Sequence, residues 1–397
     1  MSDAEVLIAG AGPVGLTAAL VLGSRGVRVI LCEAAASLSN ELRASTFHPP
    51  TLDMLAAYGV TDAMLAQGLI CPHWQVRMHP SGERAVFDLT VLAEETAHPY
   101  RLQCEQSKLA AILLDKVGGL PTVEVRFGAR IVDVAQTDDG ASFVVEEGQG
   151  RRTLTGRYGI GADGARSAVR EASSIGFSGD VYPETTILAT TTFPFETRLD
   201  GISNVSYCWK ADGTFSLLRL PGVWRTSLYA RDGKTLEETL SDDGIQDLMH
   251  DIVPLPGPFE VLETRPYRIH QRLAETYRRG RVFLAGDAAH LNSPSGGMGM
   301  NGGIHDAFNL AETLMAALGG ADDRSLDRYE RQRRPIAQDA IIAQAHQNRT
   351  RMQERDPERR RALLAELQAT ARDPARLKTY LLRTSMIDGL RRAAAIQ

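Results

Sequence analysis

The stretch at residues 5–33, EVLIAGAGPVGLTAALVLGSRGVRVILCE, decides how the N-terminal part of the chain folds. Residues 5–9 form a compact aliphatic run, as expected of a parallel strand buried on both faces. Gly10-Ala11-Gly12-Pro13-Val14-Gly15 follows at once, residues 16–25 read as a helix, and Gly26 closes it. Residues 27–31 read as a second strand ending at Cys32-Glu33. This is G-x-G-x-x-G between a strand and a helix with an acid beyond, the arrangement that binds a dinucleotide. The first Gly permits the tight turn, the second admits a pyrophosphate, and the third brings helix against strand. Glu33 would accept hydrogen bonds from ribose hydroxyls, and it would repel a 2′-phosphate, which disfavours NADP here. The fingerprint does not separate NAD from FAD, and a purely structural glycine turn is its alternative.

Two further stretches have the same strand–turn–helix character. Residues 158–167, YGIGADGARS, end a short apolar strand in Asp163-Gly164. Asp163 would accept hydrogen bonds from a ligand or from the N-terminus of its own helix. Residues 282–310, VFLAGDAAHLNSPSGGMGMNGGIHDAFNL, place Asp287 where a strand ends and a Gly, Ser and Pro-rich loop begins. A helix is expected from about Asn301, so the loop offers backbone N–H groups at a helix N-terminus, suited to an electron-rich ligand edge.

The 397 residues, 43% hydrophobic, suffice for about two domains with a large core. A net charge of -5 at 23% charged residues gives no field favouring nucleic acid or an anionic membrane. Cys32, Cys71, Cys104 and Cys208 form no C-x-x-C, which fits reduced thiols in a cytoplasmic protein. No basic segment precedes the first apolar run, so no secretory signal is expected, and glycines and Arg25 interrupt residues 6–29, which argues against a membrane span. No Cys/His cluster suggests a metal.

Between these stretches, residues 51–58 read as a helix with Thr51 as a possible N-cap, preceded by Arg43 and His48 in a loop. Arg43 would hold a phosphate or sit in solvent; His48 would be structural or catalytic. Residues 75–77 and 85–89 are strand-like, Gln103 leads into a helix at 107–117, and 123–127, 131–135 and 142–146 are expected to form an antiparallel meander, turning at 138–140. From 181 to 270 strand-like, aromatic-rich runs dominate, with a helix-like segment at 235–253. If alternation holds, residues 215, 217 and 219 share a face. Residues 326–345 and 357–369 are helical and charged, and Arg359, Arg360 and Arg361 read as a solvated face.

GAGPVG with Glu33, GADGARSAVR and AGDAAHLNSPSGGMGMNGGIHDAFNL, in this order, resemble the FAD-dependent aromatic hydroxylases, the single-component flavoprotein monooxygenases typified by p-hydroxybenzoate hydroxylase. The resemblance spans residue 4 to about 340. It implies an α/β fold with a Rossmann-like FAD-binding domain (residues 1–71, 100–180 and 271–340). A mainly antiparallel substrate domain would be inserted (72–99 and 181–270), and a helical segment would follow (341–397). Gly10, Gly12, Pro13, Val14 and Gly15 would line the FAD pyrophosphate, Glu33 the ribose, and Arg43, Gln103 and Asp163 would reach the cofactor. Asp287 would bind its ribityl or pyrophosphate portion. Pro294 would lie beside the flavin, and Gly299, Met300 and Asn301 would present N–H groups to its pyrimidine edge.

The implied reaction uses NAD(P)H, as a transient co-substrate, and O2 to hydroxylate a small phenolic or heteroaromatic molecule through a flavin C4a-hydroperoxide. A reductase or epoxidase acting on a non-aromatic substrate, or a non-catalytic flavin-binding module, are the alternatives. Tyr207, Trp209, Phe215, Leu217 and Arg219 are substrate-side candidates by location, Arg219 favouring a carboxylated substrate or facing solvent. Tyr207, Arg219, His48 and Pro294 are the candidate catalytic residues; His73 and His290 are weaker proton acceptors. A monomer or homodimer is expected.

Overall fold

A computed structural model describes residues 2–397 apart from Leu42, Gln149, Asp232 and the side chain of Pro183. Its first sheet has six strands in the order Arg278–Arg279, Val282–Leu284, Tyr158–Gly161, Val6–Ala9, Val29–Glu33, Val123–Phe127. The four central strands run parallel, with Ala9 beside both Gly161 and Cys32, and Gly161 beside Leu284. This register brings Gly10, Cys32-Glu33, Ala162-Asp163 and the turn at Gly286-Asp287 to one edge. That edge lies at the carboxyl ends of the strands, where open α/β sheets bind ligands. Three stretches that share only a local pattern in sequence therefore meet in space.

The Pro13–Gly23 helix is buried along nearly its whole surface, because the sheet covers one side and the Gly299–Leu318 helix the other. The strand at 123–127 departs from the expected meander. The Gln106–Gly118 helix carries the chain across, and the strand returns parallel to Val29–Glu33 as the sheet edge. The meander itself is Ala129–Gln136, Ala141–Glu147 and Gly150–Gly156. Thr51 is not the cap of the next helix: Pro49–Ala56 starts two residues earlier, with prolines supplying its N-terminal φ and His48 at the N-cap.

The second large sheet has eight strands, ordered His290–Leu291, Val261–Ala274, Phe177–Thr191, Val223–Tyr229, Gly213–Leu220, Val205–Lys210, His73–Met78, Arg84–Asp88. The His73–Met78 strand, far away in sequence, joins it by parallel pairing with Val205–Lys210. One face packs Ile187, Phe215, Leu217, Trp224 and Leu228 against Ile245, Leu248 and Met249 of the Asp242–His250 helix. The helix-like 235–253 segment is in fact two helices. Ser241 ends the first and caps the second by accepting from the Gly244 N–H at 3.1 Å.

The C-terminal helices Pro357–Arg372 and Pro374–Thr384 place Leu364, Leu367, Leu377 and Leu381 on Trp74 and Phe87 at the sheet's far end. Arg360 does not belong to a solvated face. It is buried, and its guanidinium donates to the carbonyls of Glu354, Lys210 and Gly213, tying helix to strand turn. Among the described residues no helix is long and apolar enough to cross a membrane.

Candidate active site

The glycine turn is held by backbone geometry that side chains would destroy. A Cβ on Gly10, at φ +98°, would sit 2.5 Å from the Ala162 carbonyl oxygen, and one on Gly15 only 2.0 Å from the Gly10 oxygen. Gly12 differs: a Cβ there would meet nothing within 4 Å, so its bare face opens outward at the start of a helix that no side chain caps. That is the fit an anionic diphosphate requires. Glu33 accepts from the Ala11 and Ala35 N–H groups, each at 2.8 Å, so its carboxylate is oriented at the mouth of this turn.

Asp287 follows the central strand Val282–Leu284. Its side chain is exposed, yet protein surrounds it closely enough that burial raises its carboxyl above the usual range, against the opposing charges of His290 and Arg43. The carboxyl is therefore reachable from solvent while protein atoms crowd around it. Pro294, in the loop that follows, is exposed. Arg43 points outward and pairs with Glu41 at 2.8 Å, so its guanidinium has a protein partner, although its charge is felt at Asp287. Asp163 supports the start of its own helix, whose N-cap is Ser167: it accepts from the Ser167 hydroxyl at 2.5 Å and the Val169 N–H at 3.2 Å. Burial raises it above the ordinary carboxylate range, against those hydrogen bonds.

The loop before Gly299–Leu318 is stitched to the segment at residues 45–48. The Asn301 amide donates to the Thr46 and Gly297 carbonyls at 2.8 and 2.6 Å and accepts from the His48 N–H at 3.0 Å. Asn301's side chain thus faces inward, and only its backbone faces the helix start, which again no side chain caps. Gln103 donates to Thr46 Oγ1 at 3.0 Å behind the same segment. His48 is fully buried; its Nε2 lies 2.8 Å from the Gly296 carbonyl. Burial and the charge of Arg101 depress its pKa to about 3, so the ring is neutral near neutral pH.

Beneath the Asp287 turn lies a buried ionic cluster that no local pattern announces. Asp306 accepts from the Gly286 N–H at 3.2 Å and Arg333 Nε at 2.7 Å, and lies 2.8 Å from His290 Nε2, all three side chains essentially inaccessible. His290, a weak proton-acceptor candidate, is therefore spent on holding this loop. His73 sits far off at the sheet end, 3.5 Å from Asp88.

The large sheet forms the roof, and strand alternation sorts its candidates. Residues 215, 217 and 219 do share a face, but it is the one packed on the Asp242–His250 helix: Arg219 lies opposite Trp224 and pairs with Glu196 at 2.8 Å. Tyr207 lies opposite Ser216 and so points the other way, with its ring edge-on to Trp74 at 6.0 Å. That second face also carries Arg225, buried, whose Nη1 donates to the Arg43 carbonyl and so ties the sheet to the loop that carries Arg43. Burial lowers the pKa of Arg225. Arg225 was legible only as the residue alternating out of the apolar Trp224–Leu228 pattern. Among the described residues no group of three His, Cys, Asp or Glu could hold a metal.

Comparisons with known proteins agree with this architecture. The family model described as FAD binding domain matches residues 3–344. The para-nitrophenol 4-monooxygenase of Pseudomonas sp. (strain WBC-3) is 33% identical over 97% of this chain and 96% of its own. The 6-hydroxy-3-succinoylpyridine 3-monooxygenase of Pseudomonas putida is 33% identical over 83% of this chain and 84% of its own. The crystal structure of p-nitrophenol 4-monooxygenase from Pseudomonas putida superposes with a TM-score of 0.91 at 31% identity, covering 98% of this chain and 99% of that one. With the glycine turn, the Asp287 turn and the antiparallel sheet in one molecule, this chain belongs to the FAD-dependent aromatic hydroxylases, the p-hydroxybenzoate hydroxylase type of flavoprotein monooxygenase.

Proposed function

We propose that this enzyme hydroxylates a small six-membered aromatic ring bearing a hydroxyl group, held between the Tyr207–Arg225 face of the roof and an FAD lying along the Gly10–Glu33 edge and the Asp287 turn. The observation that carries this reading is Asp287, reachable from solvent yet enclosed, on the turn that packs Gly286 against Val14 of the glycine turn. The named relatives act on para-nitrophenol and a hydroxypyridine, which share such a ring. FAD, when bound, takes a hydride from NAD(P)H and uses O2 to place one oxygen on the ring.

Each residue then has a task set by its surroundings. Gly10, Gly12, Pro13, Val14 and Gly15 line the pyrophosphate, Glu33 takes the ribose hydroxyls, and Asp287 takes the ribityl or diphosphate portion. Asp163 and Arg43 act at the cofactor rim, each through the partner it already holds. Gly299, Met300 and Asn301 present backbone N–H groups where the flavin gathers negative charge, and preorganised donors there need no rearrangement. Pro294 flanks the ring, and Gln103 and His48 position the loop that carries it. His48, held through Nε2 on the Gly296 carbonyl, is a positioning residue, and with its pKa depressed to about 3 its ring is a weak proton acceptor. The roof excludes water, which would otherwise divert the reaction toward hydrogen peroxide. Residues 72–99 and 181–270 thus serve the substrate, and 1–71, 100–180 and 271–340 the cofactor.

Purified protein loaded with FAD should consume NAD(P)H faster in the presence of para-nitrophenol or related phenols and should yield a product one oxygen heavier by mass. NAD(P)H oxidation that yields only hydrogen peroxide with every phenol would refute it.

A further inference from the structure

We infer that Arg101 selects the substrate: it is the receptor for an anionic oxygen on the aromatic ring, so the enzyme takes phenolates or phenols carrying an anionic substituent in preference to neutral ones. This deepens the hydroxylase reading and rests on it. Among the described residues six arginines are buried: Arg77, Arg101, Arg170, Arg225, Arg333 and Arg360. Five donate to a carbonyl or carboxylate of the protein. Arg101 alone donates to none among the described residues; its Nε and Nη1 are buried without a partner, and no carboxylate lies within ion-pairing distance. A guanidinium taken out of water without a counter-charge is strongly disfavoured, so its retention calls for an acceptor that the fold itself does not supply.

The surroundings say where that acceptor arrives. Arg101 alternates with Gln103 on the Arg101–Gln103 strand, so both project from the same side, toward the segment stitched to the flavin loop. Its guanidinium lies over the Trp74 ring, 4.8 Å from the centroid, and Trp74 meets Tyr207 of the roof edge-on. Burial and, after it, the charge of Arg101 depress the pKa of His48 on the loop side. Unpartnered polar atoms recur along this chain of contacts: Trp74 Nε1, His48 Nδ1 and, beside Tyr207, Arg225 Nε. Arg101 and the Trp74 indole thus lie side by side next to Tyr207, on the sheet face that also carries Arg225. An oxygen that arrives already ionised also removes the need for a base, and His48, its pKa depressed by burial to about 3, is a weak one. The ionised oxygen is the ring oxygen or that of a carboxylate substituent.

The test uses FAD-loaded wild type, Arg101→Met and Arg101→Lys, with dissociation constants read anaerobically from flavin absorbance. The probes are para-nitrophenol above its own pKa, para-hydroxybenzoate, and neutral para-cresol. Wild type should bind at least one anion more tightly than para-cresol. Arg101→Met should lose roughly 10- to 100-fold for that anion, the loss of a hydrogen bond to a charged group, and little for para-cresol. Arg101→Lys should recover part of it. A loss with para-nitrophenolate places the ring oxygen at Arg101; a loss confined to para-hydroxybenzoate places the substituent there. The melting temperature of Arg101→Met should hold or rise, because an unpaired buried cation is removed. Equal losses for all three probes, a lowered melting temperature with no anion selectivity, or failure of wild type to bind either anion would overturn the inference. If the anion preference holds but no probe is hydroxylated, the hydroxylase reading fails and the role of Arg101 stands. If para-cresol and the anions are hydroxylated alike by both proteins, the reverse is true.

Discussion

Asp306→Ala is the substitution whose effect the structure defines most sharply. Asp306 lies at zero exposure and is the acceptor for Arg333 Nε, the Gly286 N–H and the His290 ring at once. Its removal leaves Arg333, about 1% exposed, as an uncompensated buried cation whose Nη1 already lacks a partner. Breaking one side of a buried ion pair costs about 3–5 kcal/mol. The orphaned Gly286 N–H adds about 1–3 kcal/mol. The two share one carboxylate and do not add fully, so a net loss of about 4–5 kcal/mol is expected. That is a large part of the ~5–15 kcal/mol that holds a typical protein folded.

Urea midpoints of the FAD-loaded and FAD-free protein measure this loss. Because Gly286 precedes Asp287, flavin release should also accelerate, and more than for a surface substitution of equal midpoint. The double variant Asp306→Ala/Arg333→Met removes the stranded cation along with its partner and should recover about 2 kcal/mol of the loss. A single-variant loss below about 1 kcal/mol, the range of an exposed pair, would refute the claim that this cluster sustains the loop. So would a double variant less stable than the single one.

Three further outcomes follow from the same geometry. Asp287→Asn should raise the urea midpoint of the FAD-free protein, because a carboxyl that burial disfavours is neutralised, while weakening FAD retention by about 1–3 kcal/mol in a titration; unchanged FAD affinity would contradict its assignment. Arg219→Ala should leave substrate dissociation constants unchanged and lower stability by about 1 kcal/mol or less, since its pair with Glu196 is partly exposed and faces away from Tyr207; a specific loss of substrate binding would place that face in the site after all. Acid should destabilise the fold in two stages. His48 and His305 are buried neutral, with pKa values near 3, whereas the unfolded chain takes up protons from about pH 6.5, so their share of stability is intact above that pH and is lost as pH falls toward 3. For Asp306 burial pushes upward, but Arg333 and His290 outweigh it and hold the carboxyl below its usual range, so its share is lost only below about pH 4. Replacing His48 by Asn should flatten the first stage in a pH series of urea midpoints, and an unaltered slope would count against a buried neutral ring.

What local chemistry requires was readable from the residues alone. The glycine turn, its helix and Glu33 lie within one short window, and each residue's part follows from φ, from the space a Cβ would fill and from the helix start. The three motifs in order also carried the family, because their order reflects a parallel sheet whose strands end at one edge. What depended on partners distant in sequence was not readable. Residues 123–127 have strand composition in any sheet, and only the crossover helix makes them a parallel edge. Alternation put 215, 217 and 219 on one face, but whether that face is covered was decided by where the Asp242–His250 helix packs. Arg360 in a charged run is solvated or buried according to whether carbonyls from another element reach it. Asp306, Arg333 and Arg101 are ordinary charged residues in sequence; burial makes them consequential, and burial is a property of the assembled chain, because the energy of a charge depends on the dielectric and the partners that distant segments supply.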